Sequence, residues 1–578
     1  MLSTELARAF ARIADLLEID GAAGYRINAY RRAARTLKDT TEDVAALAAA
    51  DRLTDLPGIG KGTSDRIKQF LATGHIDVLT ELEARLPPGL PDLLDIPSLG
   101  PKKVATAYKQ LGVGGMEDLK AVIASGALAG LSGFGPGSVK KIADGIAFLE
   151  SSGGRVPLGV ALPIAEALAA RVRALPGVRR VEIAGSLRRG RDTIGDVDLL
   201  CVAEDAPAAV SAFVAFDDVK RVIASGRTKG SVTVALDDRR ELQIDLRAVD
   251  DAAFGAAMQY FTGSKAHNVR LRELAIRKRW RLNEYGLLDG ERRVAGRAEA
   301  DIYAKLGLPF IPPELREDRG EFDRTPGDLD LITENDIRGD LHMHTTASDG
   351  KCSIEDMAHA ANARGYEYIA ICDHSPSSTI ANGLSIERMK RHIAAIRRAD
   401  DRMSGITILV GTECDILPDG SLDYPDDILA QCDWVVASIH AAMGPGGSGK
   451  LTPTERTLAA IANRYVSVIG HPTGRLINRR AAMDLDIAAI ATAAAANGTF
   501  LEINANWHRL DLKDVHIQHA RAAGVTLSIN TDAHSTEGLN LMRYGVATAR
   551  RGGVAKDDVV NCLTLAALRK RIARQRGT

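Results

Sequence analysis

A repeating unit fills the second half of the chain: a short apolar segment followed by one or more metal-ligand side chains. Six such segments lie between residues 339 and 534, and they alternate with helical patterns. The ligand-type side chains that follow them are His342, His344, Asp349, Asp373, His374, Glu413, His440, His471, Asp532 and His534. Since an α/β barrel builds its site where its parallel strands end, this pattern predicts such a barrel. A single histidine of this kind is more often structural, but so many at equivalent positions favour a polynuclear metal centre.

The types of side chain narrow the choice of metal. His342 and His344 lie two residues apart at a strand end, so both imidazoles point to one place. Mixed imidazole and carboxylate ligands suit Mn²⁺, Zn²⁺ or Fe²⁺ better than Mg²⁺. Arg475, four residues after His471, is a candidate phosphate contact, although a surface salt bridge explains it equally well.

The first half carries carboxylates on β-type segments. Asp196 and Asp198 are spaced i and i+2, so they project from one face of a strand and can hold one hard cation. Asp245, in a later apolar segment, would complete a carboxylate cage for two Mg²⁺ ions. An isolated Asp-x-Asp would more often mark a turn, so the interpretation depends on what surrounds it.

A phosphate cradle precedes these acids. Gly185 and Ser186 offer backbone N–H groups and a hydroxyl, and Arg188 and Arg189 offer guanidinium forks. Glycine-serine, paired arginines, the Asp-x-Asp pair and a later strand carboxylate together predict a nucleotidyl-transfer palm.

Three related turns lie in the first 150 residues, at 56–62, 96–103 and, more loosely, 131–138. Each joins an apolar residue to a tight glycine-containing turn and a helix start, which is typical of a helix-hairpin-helix motif. Bare backbone amides at Gly58, Gly60 and Gly100 would face a DNA phosphate. One such turn is weak evidence, whereas three form an internal repeat. Motifs of this kind hold the backbone without reading sequence.

Length and charge set wider limits. A chain of 578 residues should form several domains. With 74 basic and 75 acidic residues the net charge is close to zero, so nucleic-acid binding would depend on local patches, such as the basic stretch 21–38 with its interleaved tyrosines. Six cysteines without a C-x-x-C pair indicate a reducing, cytoplasmic setting, and we expect no signal peptide and no membrane span.

Residues 1 to about 318 resemble the family X DNA polymerases, the polymerase beta group. The motifs that carry this resemblance lie at 28–31, 56–60, 185–190, 195–198, 244–245, 260–264 and 282–285. The resemblance implies metal binding by Asp196, Asp198 and Asp245, with Mg²⁺ or Mn²⁺ as the ion and Asp245 also helping to activate the primer 3′-OH. The residues that it implies for nucleotide binding are Gly185, Ser186, Arg189, Gly195, Tyr260, Phe261, Gly263, Asn268 and Arg272.

Two further expectations follow from this resemblance. Tyr260 and Phe261 should bring backbone against the 2′ position of the sugar and so exclude ribonucleotides. Polymerase beta relatives use a lysine after the first hairpin to form a Schiff base with an abasic-site sugar, and Arg66 stands at that position here. Because a guanidinium stays protonated, little lyase activity of this type is expected. Tyr30 and Arg31 join the hairpin glycines as expected DNA contacts.

Residues 339–578 resemble the polymerase and histidinol phosphatase (PHP) domain, a distorted (β/α)7 barrel with three metal ions. All nine ligand positions of that family are filled. The resemblance assigns His342, His344, Glu413 and Asp532 to one ion. It assigns the remaining ligands as follows: Asp349, His374 and His534 to a second ion, and Glu413, His440 and His471 to a third, with Glu413 bridging.

The expected architecture is therefore multidomain. The segments are a helical lyase-like domain (1–85), helix-hairpin-helix fingers (86–152), an α+β nucleotidyltransferase palm (153–251), a thumb (252–318), a linker (319–338) and the PHP barrel (339–578). The expected function is gap-filling DNA synthesis in repair on gapped or nicked DNA with dNTPs, by a monomer in the bacterial cytoplasm associated with the nucleoid. A 3′→5′ exonuclease is expected of the barrel, and whether it also trims blocked 3′ ends or cuts abasic sites stays open. Two alternatives remain: a barrel that is structural and catalytically weak, and a DNA-end-binding scaffold.

Overall fold

The computed structural model of the chain describes residues 2–40, 43–96, 98–151, 154–237, 240–443 and 451–577. Pro97 of the second hairpin and the expected palm boundary at 152–153 lie outside the described residues. The chain divides into two compact units, one of Met1–Gly154 with Asn478–Arg480 and one of Arg155–Ile477 with Ala481–Thr578. Among the described residues, no helix combines the length and the apolar character that a membrane span requires.

The first unit is helical. Its α-helices are Leu2–Asp20, Gly24–Asp39, Val44–Ala49, Lys61–Thr73, Asp77–Arg85, Pro101–Leu111, Met116–Ala124 and Pro136–Ser151. The apolar face expected from helical spacing in the first helix is fully buried, with Phe10 and Ile13 among its core residues. This core of side chains from successive short helices confirms the helical class expected from the sequence.

The three hairpin turns share one backbone geometry. In each, an N–H donates to the carbonyl three residues earlier: Ile59 to Leu56, Leu99 to Ile96 and Phe134 to Leu131, all at 3.1 Å. The residue before each donor has a positive φ, at Gly58, Ser98 and Gly133. Because the second turn has a serine in this left-handed position, the three turns agree in backbone conformation more closely than in residue type.

The second unit begins with a five-stranded mixed sheet. In spatial order its strands are Val178–Ile183, Asp196–Ala203, Glu241–Ala248, Lys229–Ala235 and Val219–Ser225. A two-stranded pair, Val156–Pro157 with Thr193–Ile194, lies beside it, and the helices are Leu158–Arg173, Gly185–Arg188 and Ala206–Val214. Strand Asp196–Ala203 is antiparallel to its first neighbour and parallel to Glu241–Ala248, so the carboxylates on the two parallel strands come together at one sheet end.

The following segment packs helices on a small antiparallel sheet. Its helices are Phe254–Thr262, Lys265–Arg277 and Glu299–Leu306, and its strands are Arg281–Asn283, Gly286–Asp289 and Arg292–Ala295. The stretch that the sequence indicated as a linker contains only 3₁₀ turns, yet it is packed: Glu321, Leu331, Ile332 and Ile337 are buried. The linker is therefore packed against the rest of the unit rather than extended in solvent.

A seven-stranded parallel sheet forms the rest of the unit, with its strands in sequence order. They are Gly339–Met343, Tyr368–Ile371, Thr407–Asp415, Trp434–Ser438, Val468–Ile469, Phe500–Asn504 and Leu527–Asn530. The accompanying helices are Ile354–Asn362, Ile386–Arg402, Asp426–Leu429, Pro453–Ala462, Ile487–Asn497, Asp514–Ala522, Met542–Arg551 and Leu565–Arg576. A bridge from Met343 to Ala533 links the first strand to the end of the last. The sheet is therefore a nearly closed barrel, as the repeating strand-ligand pattern predicts.

Candidate active sites

The three palm carboxylates lie on adjacent parallel strands. The register places Asp198 directly opposite Asp245, and Asp196 two residues before Asp198. Burial raises the pKa of Asp198, and the charges of Asp196 and Asp245 act in the same direction, so that together they bring it to about 6. A carboxylate whose ionisation is opposed by burial and by two like charges is one that a bound cation stabilises. The cluster therefore fits divalent metal ions.

Asp245 is held by three donors. Lys229 Nζ lies 2.6 Å from Oδ2, while Ser231 Oγ and Gln243 Nε2 donate to Oδ1 at 2.5 and 3.0 Å. Burial alone would raise the pKa of Asp245, but the hydrogen bonds from Lys229, Ser231 and Gln243 lower it overall. Asp245 is thus the more acidic member of the pair that it forms with Asp198.

Close approach to the acids requires the first glycine of the cradle, Gly185. Gly185 has φ +67°, and a Cβ there would lie 2.3 Å from Oδ2 of Asp198. Only glycine brings the turn bearing the half-buried Ser186 so near the acids. Gly195, on the other side of Asp196, has an Arg155 nitrogen 3.0 Å from where its Cβ would be. Backbone N–H groups and carboxylates therefore share one small region.

The two arginines of the cradle have acidic partners. Arg188 donates to both carboxylate oxygens of Glu299 at 3.0 and 2.6 Å, and to Thr262 Oγ1 at 2.6 Å. Arg189 Nε donates to Glu317 Oε1 at 3.1 Å, and its Nη1 donates to the carbonyl of Thr262. Within the described part of the chain the Nη2 nitrogen of Arg189 has no hydrogen bond, so Arg189 is the better placed of the two for a phosphate.

The residues expected around the sugar and the base form one cluster. The rings of Tyr260 and Phe261 lie edge to face with centroids 5.1 Å apart, and Gly263 follows after Thr262. Asn268 Nδ2 donates to the Tyr260 carbonyl at 2.7 Å, and Arg272 Nε donates to the Asn268 carbonyl at 3.1 Å. These two hydrogen bonds therefore connect the residues expected at the sugar with those expected at the base.

The expected DNA contacts in the first unit differ in availability. Tyr30 packs on Phe10 at 5.6 Å between ring centroids, and Arg31 forms ion pairs with Glu18 and Asp15. Arg31 is thus already paired. The hairpin glycines Gly60 and Gly100, by contrast, stand directly before helices Lys61–Thr73 and Pro101–Leu111, and among described atoms nothing lies within 4 Å of a Cβ built on either.

All nine ligand positions of the barrel meet at the ends of its strands. Ligand atoms lying within 4.8 Å of one another form three groups: His344, Asp349, His374 and His534; His342, His344 and Asp532; and His374, Glu413 and His440. His471 Nε2 lies 2.9 Å from Glu413 Oε1. Three groups match the three ions that the resemblance implies. The grouping differs in detail, since His344 and His374 are each shared and Glu413 is nearest to His374 and His471.

Glu413 is the centre of this cluster, and its surroundings fit metal ions. It is 1% exposed, and five imidazoles lie within 3.6 Å of its oxygens. Among the described residues, the buried side-chain atoms of these ligands that have no hydrogen-bond partner are His342 Nε2, His344 Nδ1, His374 Nδ1, Glu413 Oε1 and His471 Nδ1. Burying unpaired polar atoms is unfavourable, and divalent ions would satisfy them. Mixed nitrogen and oxygen donors are those of transition-metal sites.

Three histidine pKa values reflect the crowding. Burial lowers the pKa of His344 to about 4, helped by the neighbouring His534 and His374. Burial would lower those of His440 and His534 too, but Glu413 and Asp415 raise the first to about 10, and Asp349 and Asp532 raise the second to about 9. The cluster thus holds opposite charges that ion binding would rearrange.

The sequence did not predict the residues that support the ligands. His342 Nδ1 lies 2.7 Å from Oε1 of the fully buried Glu502, whose Oε2 accepts from the backbone N–H of His471 at 2.6 Å. His440 Nδ1 lies 2.5 Å from Asp415 Oδ1. Such carboxylates orient ligand imidazoles and strengthen them as donors. A signal was available, because Glu502 is a charged residue inside an otherwise apolar segment.

The side chain of Arg475 forms a structural ion pair. It lies 3.0 Å from Asp192 of the palm, and it also donates to the backbone carbonyls of Arg509 and Leu510. Of the two readings that the sequence left open, the salt bridge is the one that the structure shows, and it joins palm to barrel.

Three family models match the chain. They are the DNA polymerase beta thumb at residues 257–317, the helix-hairpin-helix domain at 1–76 and the PHP domain at 340–506. Probable phosphatases match a shorter part of the chain: one from Shewanella oneidensis is 30% identical over 237 residues, and one from Thermoanaerobacter pseudethanolicus is 27% identical over 230. These alignments cover 40% and 38% of this chain and 89% of each relative.

One relative matches along the whole chain. The Bacillus subtilis protein named "DNA polymerase/3'-5' exonuclease PolX" is 40% identical over 569 residues, which is 98% of both chains. The match spans the helical unit, the palm, the thumb and the barrel together. The chain therefore belongs to the family X DNA polymerases that carry a C-terminal PHP domain.

Proposed function

We propose that this protein is a template-directed DNA polymerase that fills short gaps during repair and removes 3′ nucleotides with its barrel. The observation that carries the proposal is the presence in one chain of two separate ligand sets, three carboxylates in the palm and nine side chains in the barrel. The Bacillus subtilis relative bears a name that joins these two activities. Both activities would use divalent metal ions.

In the palm, Asp196, Asp198 and Asp245 would hold Mg²⁺ or Mn²⁺. When bound, such ions polarise the phosphoryl group and stabilise the charge that develops during transfer. Ser186, the amides near Gly185 and the Nη2 edge of Arg189 would hold the incoming triphosphate. Asp245, the more acidic carboxylate, stays ionised and can accept a proton from the primer 3′-OH.

Tyr260, Phe261, Gly263, Asn268 and Arg272 would select the nucleotide. Tyr260 and Phe261, fixed by the bond from Asn268 to the Tyr260 carbonyl, would close the sugar pocket against a 2′-hydroxyl. Asn268 and Arg272 would face the nascent base pair. Gly263 allows Arg189 to pass close beneath it, 3.1 Å from where a Cβ would be.

In the barrel, the nine ligands would hold up to three ions of Mn²⁺, Zn²⁺ or Fe²⁺. When bound, these ions polarise a phosphodiester and lower the pKa of a water ligand toward neutrality. The residues of the chain orient them, with Glu413 between the groups and Glu502 and Asp415 behind His342 and His440. Trimming of blocked 3′ ends or cleavage at abasic sites would use the same centre.

The proposed substrate is gapped or nicked DNA, bound by the three hairpin turns. Their shared left-handed residue and their helix starts present backbone amides, which suit phosphates of any sequence. The domain boundaries given by the sequence, a monomeric state and a cytoplasmic, nucleoid-associated location belong to this proposal. The two compact units support only the coarser division.

Asp245→Asn tests the proposal directly. Extension of a primer across a short gap bearing a 5′-phosphate should fall by about three orders of magnitude, because a charged ligand of the metal site is lost while the side chain keeps its shape. Degradation of the 3′ end should continue at the unmodified rate. Asp237→Asn, which changes an exposed acid just after strand Lys229–Ala235, is the matched control. Unchanged extension by Asp245→Asn would remove Asp245 from the site.

A further inference from the structure

Glu317, a carboxylate at the end of the thumb segment, links the palm arginine Arg189 to the barrel. Glu317 Oε1 accepts from Arg189 Nε and from Arg551 Nη1, both at 3.1 Å, and Arg191 Nη1 lies 3.4 Å from Oε2. The side chains of Arg189, Glu317 and Arg551 are 12%, 10% and 5% exposed. This contact is therefore largely shielded from solvent. Charges in such a shielded environment interact more strongly than charges at an exposed surface.

Arg551 is fixed from the barrel side. It is the last residue of helix Met542–Arg551, and its Nη2 donates to Asp514 Oδ2 at 2.6 Å. Its Nη1 donates to the backbone carbonyl of Arg189 at 2.8 Å as well as to Glu317. One barrel side chain thus touches both the nucleotide-binding arginine and the carboxylate that is paired with it.

Glu317 has two opposing effects on a triphosphate. It orients the guanidinium of Arg189 through Nε, leaving the Nη2 edge for a phosphate. As an anion 3.1 Å from Arg189, however, it also competes with the phosphate and repels it. Its charge is offset by Arg551, whose Nη1 shares Oε1 with Arg189, and by Arg191, whose Nη1 lies near Oε2. The balance between the two effects therefore depends on Arg551.

We propose that Arg551, a residue of the barrel, sets the affinity of the palm for the nucleotide triphosphate by holding and neutralising Glu317. This inference deepens the proposed polymerase function and rests on it. Arg551 is a positioning residue, since it acts through Glu317 and Arg189. The barrel then serves synthesis as well as degradation, because it supplies the counter-charge that makes Arg189 available to the substrate.

Two substitutions with opposite expected signs test this proposal. Arg551→Met removes the counter-charge and keeps much of the bulk, so KM for dNTP in gap filling should rise about tenfold while kcat stays within about twofold. Glu317→Gln removes the competing charge and keeps the shape, so KM should fall. In the double variant, loss of the carboxylate should cancel most of the effect of Arg551→Met. Equilibrium binding of a non-hydrolysable dNTP to the full-length protein with gapped DNA should change in parallel.

Arg550→Met is the matched control. Arg550 is the neighbour of Arg551 and forms an equally direct ion pair from the barrel, 2.7 Å from Glu314, which does not contact Arg189. It should leave KM unchanged. An unaltered KM in Arg551→Met, a loss confined to kcat, or an equal effect in Arg550→Met would each overturn the proposal. Absence of synthesis by the unmodified protein would instead refute the proposed function. If Arg551→Met fails to fold, an increased KM in Glu317→Gln would by itself contradict the proposal.

Discussion

At the scale of single residues, Asp198 combines a proposed metal-binding position with an environment that disfavours its charged form. Its pKa is raised from 3.8 to about 6, first by burial and then by Asp196 and Asp245. The folded protein therefore binds this proton more tightly than the unfolded chain. The contribution of Asp198 to stability is fully present below pH 3.8 and is lost as the pH rises to about 6. At neutral pH, without metal, the charged form opposes folding.

Asp198→Asn should consequently stabilise the metal-free palm at pH 8. We expect an increase of a few degrees in the unfolding temperature there, and a much smaller one at pH 5, where Asp198 of the unmodified protein is already protonated. Mg²⁺ should stabilise the unmodified protein more than the variant. Differential scanning calorimetry with and without the ion measures both effects. Equal stabilisation at pH 5 and pH 8 would contradict this account of the pKa.

Arg66 carries a negative prediction. It lies on helix Lys61–Thr73 at the position where polymerase beta relatives place their Schiff-base lysine, and an arginine cannot act as the amine. Lys68 is two residues further along and forms an ion pair with Asp51. Borohydride trapping on DNA with a 5′-deoxyribose phosphate should therefore yield little covalent complex. Efficient trapping that disappears in Lys61→Ala or Lys68→Ala would reveal a substitute lysine.

At the scale of elements, the sequence predicted the strands whose side chains follow a simple pattern. The palm strands that begin at Asp196 and Glu241, and the six barrel strands that are followed by a histidine or an acid, were expected within a few residues. The edge strand Val219–Ser225 was missed because its side chains are largely exposed and give no alternation. Phe500–Asn504 was missed because Glu502 interrupts its apolar run. The buried carboxylate of Glu502 is stabilised by His342, which lies 160 residues earlier in the sequence and contacts it only in the folded chain.

Strand Phe500–Asn504 should therefore control metal binding without supplying a ligand. Glu502→Gln removes the charge behind His342 Nδ1 and should weaken metal binding in the barrel by about 10- to 100-fold. Exonuclease activity should fall at limiting Mn²⁺ and recover at higher Mn²⁺, with primer extension unaltered. Metal content after dialysis against buffered Mn²⁺ gives the direct reading. Glu355→Gln, on a surface helix of the barrel, is the control, and equal metal retention by both variants would exclude this role for Glu502.

At the scale of the whole molecule, contacts between palm and barrel could not be predicted from the sequence. Trp507 of the barrel packs where Gly159 of the palm has no side chain, with 2.1 Å between Trp507 Cγ and a Cβ built there. Asp192 pairs with Arg475, 283 residues away. Such partners are distant in sequence and have no periodic signature, so only the folded chain reveals them. The two ligand sets nevertheless share no residue.

Two activities on separate ligand sets should be separable in the full-length protein. His342→Ala with His344→Ala removes buried ligands of the barrel and should abolish 3′→5′ degradation while primer extension continues. Asp196→Ala with Asp198→Ala should abolish primer extension while 3′→5′ degradation continues, because it removes two of the three palm carboxylates. Both assays need the same gapped DNA, and degradation must follow the protein through its last purification step to exclude a contaminant. Loss of degradation in the palm variant, with retention in the histidine variant, would show that the barrel is not the nuclease.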